Sequence, residues 1–123
     1  MPRGTKHAGI PATDVVVAST GVIGQRLSLE PFKTGIPELC KALGPNSHDV
    51  GEAIMTTDTK LKEIAVEFTA GGKTCRLGGI AKGSGMIAPN MATMLCFLTT
   101  DAAVTPTLLH EALLDAVGDT FNM

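Results

Sequence analysis

Two adjacent glycines, Gly71 and Gly72, constrain this chain more than any other feature. Ahead of them, Ile64, Val66 and Phe68 alternate with polar residues, the period of a strand with one buried face. Ala70-Gly71-Gly72 then reads as a turn. Lys73–Ala81 is expected to return beside Lys62–Thr69 as the second strand of a hairpin. The rest of the chain has to be read around that hairpin.

On either side the period changes. Ile36, Leu39, Cys40 and Leu43 recur at helical spacing, with Pro37 suited to a first turn and Gly44 to a stop. A short second helix is expected from a cap at Asn46 or Ser47, burying Val50, Ala53 and Ile54. Thr105-Pro106 has the form of a cap followed by a first-turn proline. It opens a helix that carries Leu108, Leu109, Ala112, Leu113, Ala116 and Val117 on one stripe. Two further strands are predicted. Asp14–Ala18 is a β-branched run ended by Ser19-Thr20-Gly21, and Met91–Leu98 is apolar on both faces, as in a central strand. With no repeat and no linker, residues 1–123 read as a single α/β domain.

Composition excludes several classes of partner. Hydrophobic residues make up 44% and charged ones only 18%, which favours a core over disorder. The net charge is −2, without a basic stripe, and four Phe are the whole aromatic complement, so no nucleic-acid partner is expected. The longest apolar run, around Met91–Leu98, is far too short to span a bilayer, and no membrane partner is expected. Cys40, Cys75 and Cys96 are odd in number and lack metal-ligand spacing. They fit reduced thiols in a cytoplasmic protein, with no metal site. Basic residues at Arg3 and Lys6 are followed by no apolar region, so a signal peptide is not expected. His7, His48 and His110 are scattered and read as surface residues. Gly83-Ser84-Gly85 lacks both the ending of a Walker loop and the spacing of a dinucleotide fingerprint.

Function enters through three segments. One is Ser19-Thr20-Gly21-Val22-Ile23-Gly24, and another is Ile54-Met55-Thr56-Thr57-Asp58-Thr59. The third runs from Ala81-Lys82-Gly83-Ser84-Gly85 through Pro89-Asn90-Met91-Ala92-Thr93-Met94-Leu95 to Thr99-Thr100-Asp101-Ala102. Together they resemble the signature of the ornithine acetyltransferase family, also called bifunctional glutamate N-acetyltransferases, over nearly the whole chain from Asp14 to Phe121. The resemblance implies an α/β fold, part of a sandwich of β-sheets flanked by helices, of the N-terminal-nucleophile kind shared by ornithine acetyltransferases and DmpA.

A threonine hydroxyl is a weak nucleophile until a base takes its proton. An N-terminal threonine supplies both groups, since an α-amine has a pKa of roughly 7.7–8.0. The resemblance implies that Thr93 gains that amine by cutting its own bond to Ala92, dividing the chain into an α portion, residues 1–92, and the start of a β portion. It also implies that Thr20 and Gly21 form the oxyanion hole, through a hydroxyl and a backbone N–H. Lys82 and Thr56, or Thr57 one position on, would contact the amino-acid substrate together with Thr93. Taken singly, Thr93 reads as a strand threonine, Thr20-Gly21 as a turn in which the glycine supplies a positive φ, and Lys82 as a solvated lysine. It is their order along the chain that carries the resemblance.

The implied reaction moves acetyl from N-acetylornithine to glutamate through an acetyl-threonine, without a resident cofactor; some members also accept acetyl-coenzyme A. The implied assembly is a heterotetramer of two α and two β chains. Family members are longer at both ends, and an abrupt stop at Phe121-Asn122-Met123 fits an incomplete domain with exposed apolar faces. Such a piece is not expected to run the whole reaction alone. Lys60-Leu61 departs from an aromatic-proline pair common in the family. A self-processing aminopeptidase or amidase, and an inactive fragment, are the alternative readings. Cys96 reads as a core residue, not a nucleophile.

Overall fold

The hairpin turn is set by backbone handedness. In the computed structural model, which describes residues 7–85 and 94–122, Gly71 and Gly72 have φ of 57° and 75°. Two consecutive left-handed residues match the twist of the flanking strands, and a side chain there would clash with its own backbone. Strand β1 (Lys62–Ala70) therefore returns directly as β2 (Lys73–Lys82), in a register running from Ala70 opposite Lys73 to Lys62 opposite Ala81. Strand β3 (Leu95–Thr100) pairs antiparallel with β2, giving a sheet of order β1-β2-β3.

This sheet belongs to the second of two compact units, which begins at Ser47. Its two faces differ. The face bearing Glu63, Ile80 and Lys82 is packed by a short helix, α2 (Ser47–Ala53). The other face follows from the register: Ile64, Val66, Phe68, Leu77 and Leu98 share it. Much of that face stays in solvent, Ile64 being 64% exposed. Among the described residues no hydrophobic side chain is fully buried. A sheet buries its apolar side only when a second layer covers it, so the expected exposure of apolar faces is observed.

Helix α2 starts where the cap was expected. Its contact residue is different from the expected set, because Val50 is exposed and Gly51 is the buried position. Gly51 lies so close to Leu61 that a Cβ there would stand 2.7 Å from Leu61 Cδ1, with Ile80 beyond. Leu61 thus fills the space between helix and sheet. At the helix start, Ser47 Oγ donates to Glu63 Oε1 (2.5 Å) and His48 Nδ1 lies 3.2 Å from Glu63 Oε2. These contacts hold the Glu63 carboxyl below its ordinary range, the Ser47 hydrogen bond most of all.

The described part of the apolar run expected as a central strand forms β3, at one edge of the three-stranded sheet. β3 begins at Leu95, and residues 91–93 lie outside the described residues. Its far end is closed by Thr100 Oγ1 donating to the Arg76 carbonyl (2.7 Å) and Asp101 Oδ1 accepting from Arg76 N (2.7 Å). Helix α3 (Pro106–Gly118) follows as predicted: Thr105 Oγ1 accepts from Leu108 N at 3.3 Å, and Pro106 occupies the first turn.

In the first unit, up to Asn46, helix α1 covers Glu30–Lys41. It starts earlier than its apolar spacing predicts. Pro31 takes the first turn, leaving Pro37 inside the helix, and the chain leaves it at Ala42, before Gly44. Surface pairs Lys33–Glu30 and Lys41–Glu38 support it through i,i+3 spacing, Ser28 Oγ accepting from Glu30 N at its start. Asp14–Ala18 is not a strand. Ala12–Asp14 is a short 3-10 turn, Val15 has extended dihedral angles, and residues 15–18 pair with no strand among the described residues, with Val16 96% exposed. β-branched residues favour extended backbone, but a strand also needs a neighbour to bond.

Candidate functional site

At the end of β2 the sheet delivers a lysine into cover. Lys82 is 5% exposed, which is rare for this residue type and costly unless its ammonium is hydrogen-bonded. The bond it makes is long in sequence and short in space: Lys82 Nζ donates to Thr56 Oγ1 at 2.9 Å. Among the described residues no carboxylate lies within ion-pairing distance of Lys82. The recorded pairs involve other side chains. A hydroxyl that accepts from an ammonium keeps its own proton to donate. Lys82 and Thr56 together therefore present positive charge and O–H to an anion, and Thr56 itself is exposed, so that end is reachable.

The loop carrying Thr56 is held by Asp58, whose side chain is 1% exposed. Asp58 Oδ1 accepts from Lys62 Nζ at 2.5 Å and from Gly83 N at 2.8 Å, and Oδ2 accepts from Thr56 N at 3.5 Å. The Lys62 ammonium first, then the Gly83 and Thr56 amides, draw its carboxyl from 3.8 down to about 2. One carboxylate thus ties the Thr56 loop both to β1 and to the residue after Lys82. Asp58 carried no role in the sequence reading. Its local signal is an acid placed two positions after a backbone N–H that it accepts from. The contact with Gly83, 25 positions away, has no local signal.

Of the residues singled out by resemblance, the structure brings Lys82 and Thr56 together, and it selects Thr56 over Thr57 as the lysine's partner. Thr57 instead lies beside Gly85, where a Cβ would meet its Oγ1 at 3.7 Å. Thr93 and Ala92 lie outside the described residues. Leu95, two positions after Thr93, is the register partner of Lys82. Thr20 and Gly21 belong to the first unit and are both exposed. The positive φ in that stretch belongs to Gly24, at 81°, and not to Gly21. The plain reading of Gly21, a glycine demanded by a left-handed turn, therefore does not account for it.

A second feature lies on the opposite, apolar face of the sheet. An open cavity of about 320 Å³ is lined by Ile64, Gly79, Ala81, Cys96, Leu98 and Phe121, among others. Burial pushes the Cys96 thiol up, away from the thiolate a nucleophile needs, but Cys96 is only half-buried and is not the core residue expected from the sequence. The other two cysteines are also free. Among the described residues no group of three or more His, Cys, Asp or Glu is placed to hold a metal, and no helix is long and apolar enough to cross a membrane.

Comparison with known proteins points in one direction. The model of the ArgJ family matches residues 3–123. An arginine biosynthesis bifunctional protein ArgJ from a Synechococcus species is 56% identical over 114 residues, covering 92% of this chain and 28% of that protein. A protein of the same name from Nitratidesulfovibrio vulgaris is 52% identical over 118 residues, 95% of this chain and 30% of its own. A glutamate N-acetyltransferase from Methanocaldococcus jannaschii is 53% identical over 113 residues, 89% of this chain and 28% of its own. The chain spans less than a third of the length of these relatives.

Proposed function

This chain belongs to the ArgJ family, and from that premise we propose that it contributes the self-processing and anion-binding part of an acetyltransferase that moves acetyl from N-acetylornithine to glutamate. Thr93 Oγ1 attacks the Ala92 carbonyl carbon, and the peptide nitrogen departs as the amine of Thr93. Water then hydrolyses the resulting ester. The freed α-amine serves as base for the same hydroxyl, which attacks the acetyl carbonyl of N-acetylornithine. Negative charge develops on that oxygen and is met by the Thr20 hydroxyl and the Gly21 N–H. Ornithine leaves, and the amine of glutamate takes the acetyl group from Thr93.

Lys82 and Thr56 hold a substrate carboxylate while this occurs. The observation that carries the reading is the 2.9 Å bond between them, a buried ammonium joined to a reachable hydroxyl. The pairing of Leu95 with Lys82 supports it, since it brings the strand that follows Thr93 alongside the lysine. The names of the relatives support glutamate as acceptor and arginine biosynthesis as setting. The scheme needs no resident cofactor, and acetyl-coenzyme A is a second donor to assay. In the N-terminal-nucleophile fold the open sheet face would meet further layers, in a cytoplasmic assembly of two α and two β chains.

Mass spectrometry of the native protein is the direct test. Cleavage between Ala92 and Thr93 is expected, together with acetylglutamate formation from N-acetylornithine. Thr93→Ala should abolish both. A Thr93→Ala protein that fragments at the same bond would discredit the mechanism, and acetate released to water without acetylglutamate would indicate a hydrolase.

A further inference from the structure

The carboxylate at Asp58 has the geometry of a clamp rather than of a ligand. Oδ1 is engaged by both the Lys62 ammonium and the Gly83 amide, while Oδ2 faces the Thr56 amide. An acid so occupied and 1% exposed cannot also serve the amine of an incoming substrate. What it does contact is informative. Its three partners are the backbone of Thr56, the residue directly after Lys82, and the first residue of β1. It brackets the Lys82–Thr56 pair, accepting from the Thr56 amide and from the Gly83 amide directly after Lys82. It also sets an ammonium, Lys62, at one side of the corner while its own negative charge is consumed there.

We propose that Asp58 is a positioning residue for the anion subsite, fixing the separation of the Lys82 ammonium and the Thr56 hydroxyl so that both reach one carboxylate. The inference rests on the reading of Lys82 and Thr56 as a carboxylate-binding pair. It adds the group that sets their geometry and assigns Lys62 as the anchor that orients that group. Two hydrogen-bond donors converge on one anion only if the segments carrying them are fixed relative to each other, and a displacement of about 1 Å is enough to cost on the order of 10²-fold in well-aligned sites. The two segments also meet through the Lys82–Thr56 bond itself and where Thr57 lies beside Gly85.

Steady-state acetyl transfer by the native protein separates this role from general stability. Asp58→Asn retains an acceptor for the Gly83 amide but loses the charge that holds Lys62. It should raise the KM for the carboxylate-bearing substrate about tenfold, the scale of one charge-assisted hydrogen bond. The accompanying change in kcat should stay within about twofold, because the reacting atoms are not touched. Lys62→Met should shift KM in the same direction and by less. Loss of folded protein would instead lower the apparent kcat at unchanged KM, and that result for Asp58→Asn, with Lys62→Met silent, would overturn the proposal. Lys82→Met tells the two levels apart. A Lys82→Met enzyme with a strongly raised KM, beside an Asp58→Asn enzyme with normal KM, would sink the clamp alone. A normal KM in Lys82→Met would sink the anion subsite and the clamp with it.

Discussion

Two of the stretches assigned to chemistry lie among the described residues, and they are held in opposite ways. The corner at Thr56, Asp58 and Lys82 is cross-braced by side chains from positions far apart in sequence, and two of its three charged or polar groups are buried. The stretch from Val15 to Gly21 belongs to no helix or strand, has no strand partner among the described residues, and its valines stand in solvent. Both match the same family signature. The difference teaches that a chemical motif and a mechanically determined site are separate properties. The corner is built on a hairpin whose pairing is local, so its geometry comes with the sheet. Thr20 and Gly21 have no such frame within the described residues of their own unit.

Breaking the contrast is simplest at Thr20. With its side chain exposed and making no hydrogen bond among the described residues, Thr20→Ala should leave the melting temperature unmoved. If it is an oxyanion donor, acetyl transfer should still fall by on the order of 10²–10³ in kcat. A drop in stability with normal kcat would reverse the roles assigned to the two stretches. Next in size is the hairpin. Gly72→Val forces a β-branched residue to a φ of 75°, and should cost about 1–2 kcal/mol in denaturant unfolding. An unaffected midpoint would mean the turn does not anchor the sheet.

The corner should also respond to acid in a defined window. Asp58 is drawn down to about 2 from 3.8, so its contribution is complete above the unfolded value and is lost as pH falls through about 2. Hydrogen exchange at the Gly83 amide, followed from pH 5 to pH 2 (an acid range of about three units, in which native carboxylates titrate), should stay protected until below the ordinary carboxylate range. Loss of protection near pH 5 would contradict the clamp. The smallest effect belongs to the Val15–Gly21 stretch. Val16→Thr at a 96% exposed position should change stability by no more than about 0.5 kcal/mol. A larger loss would show that the valine run is covered in the native protein, and would erase the contrast.

What could be read along the chain followed from how local its cause was. The hairpin, the Thr105 cap and the pairing of Pro106 with a first turn depend on neighbours a few positions apart, and all three are found where expected. Asp14–Ala18 failed as a strand because β-branched composition sets a backbone preference but supplies no partner. Helix α1 was misplaced at its start because Pro31 and Pro37 are both compatible with a first turn, and the apolar spacing covers only its later part. Asp58 was passed over although it stands inside a quoted motif. An aspartate in a polar loop is ordinary until a distant amide is found against it.

The order of amino acids alone determined the turn at Gly71-Gly72, the capped helix after Thr105 and the family to which the chain belongs, because each depends on residue type at short or fixed spacing. Tertiary structure alone decided that Lys82 is buried, that Thr56 and not Thr57 meets it, and that Asp58 holds both segments in place. The physical reason is distance along the chain. Burial and convergent hydrogen bonds arise between segments some 25 positions apart, and only the pairing of the strands brings those segments within reach.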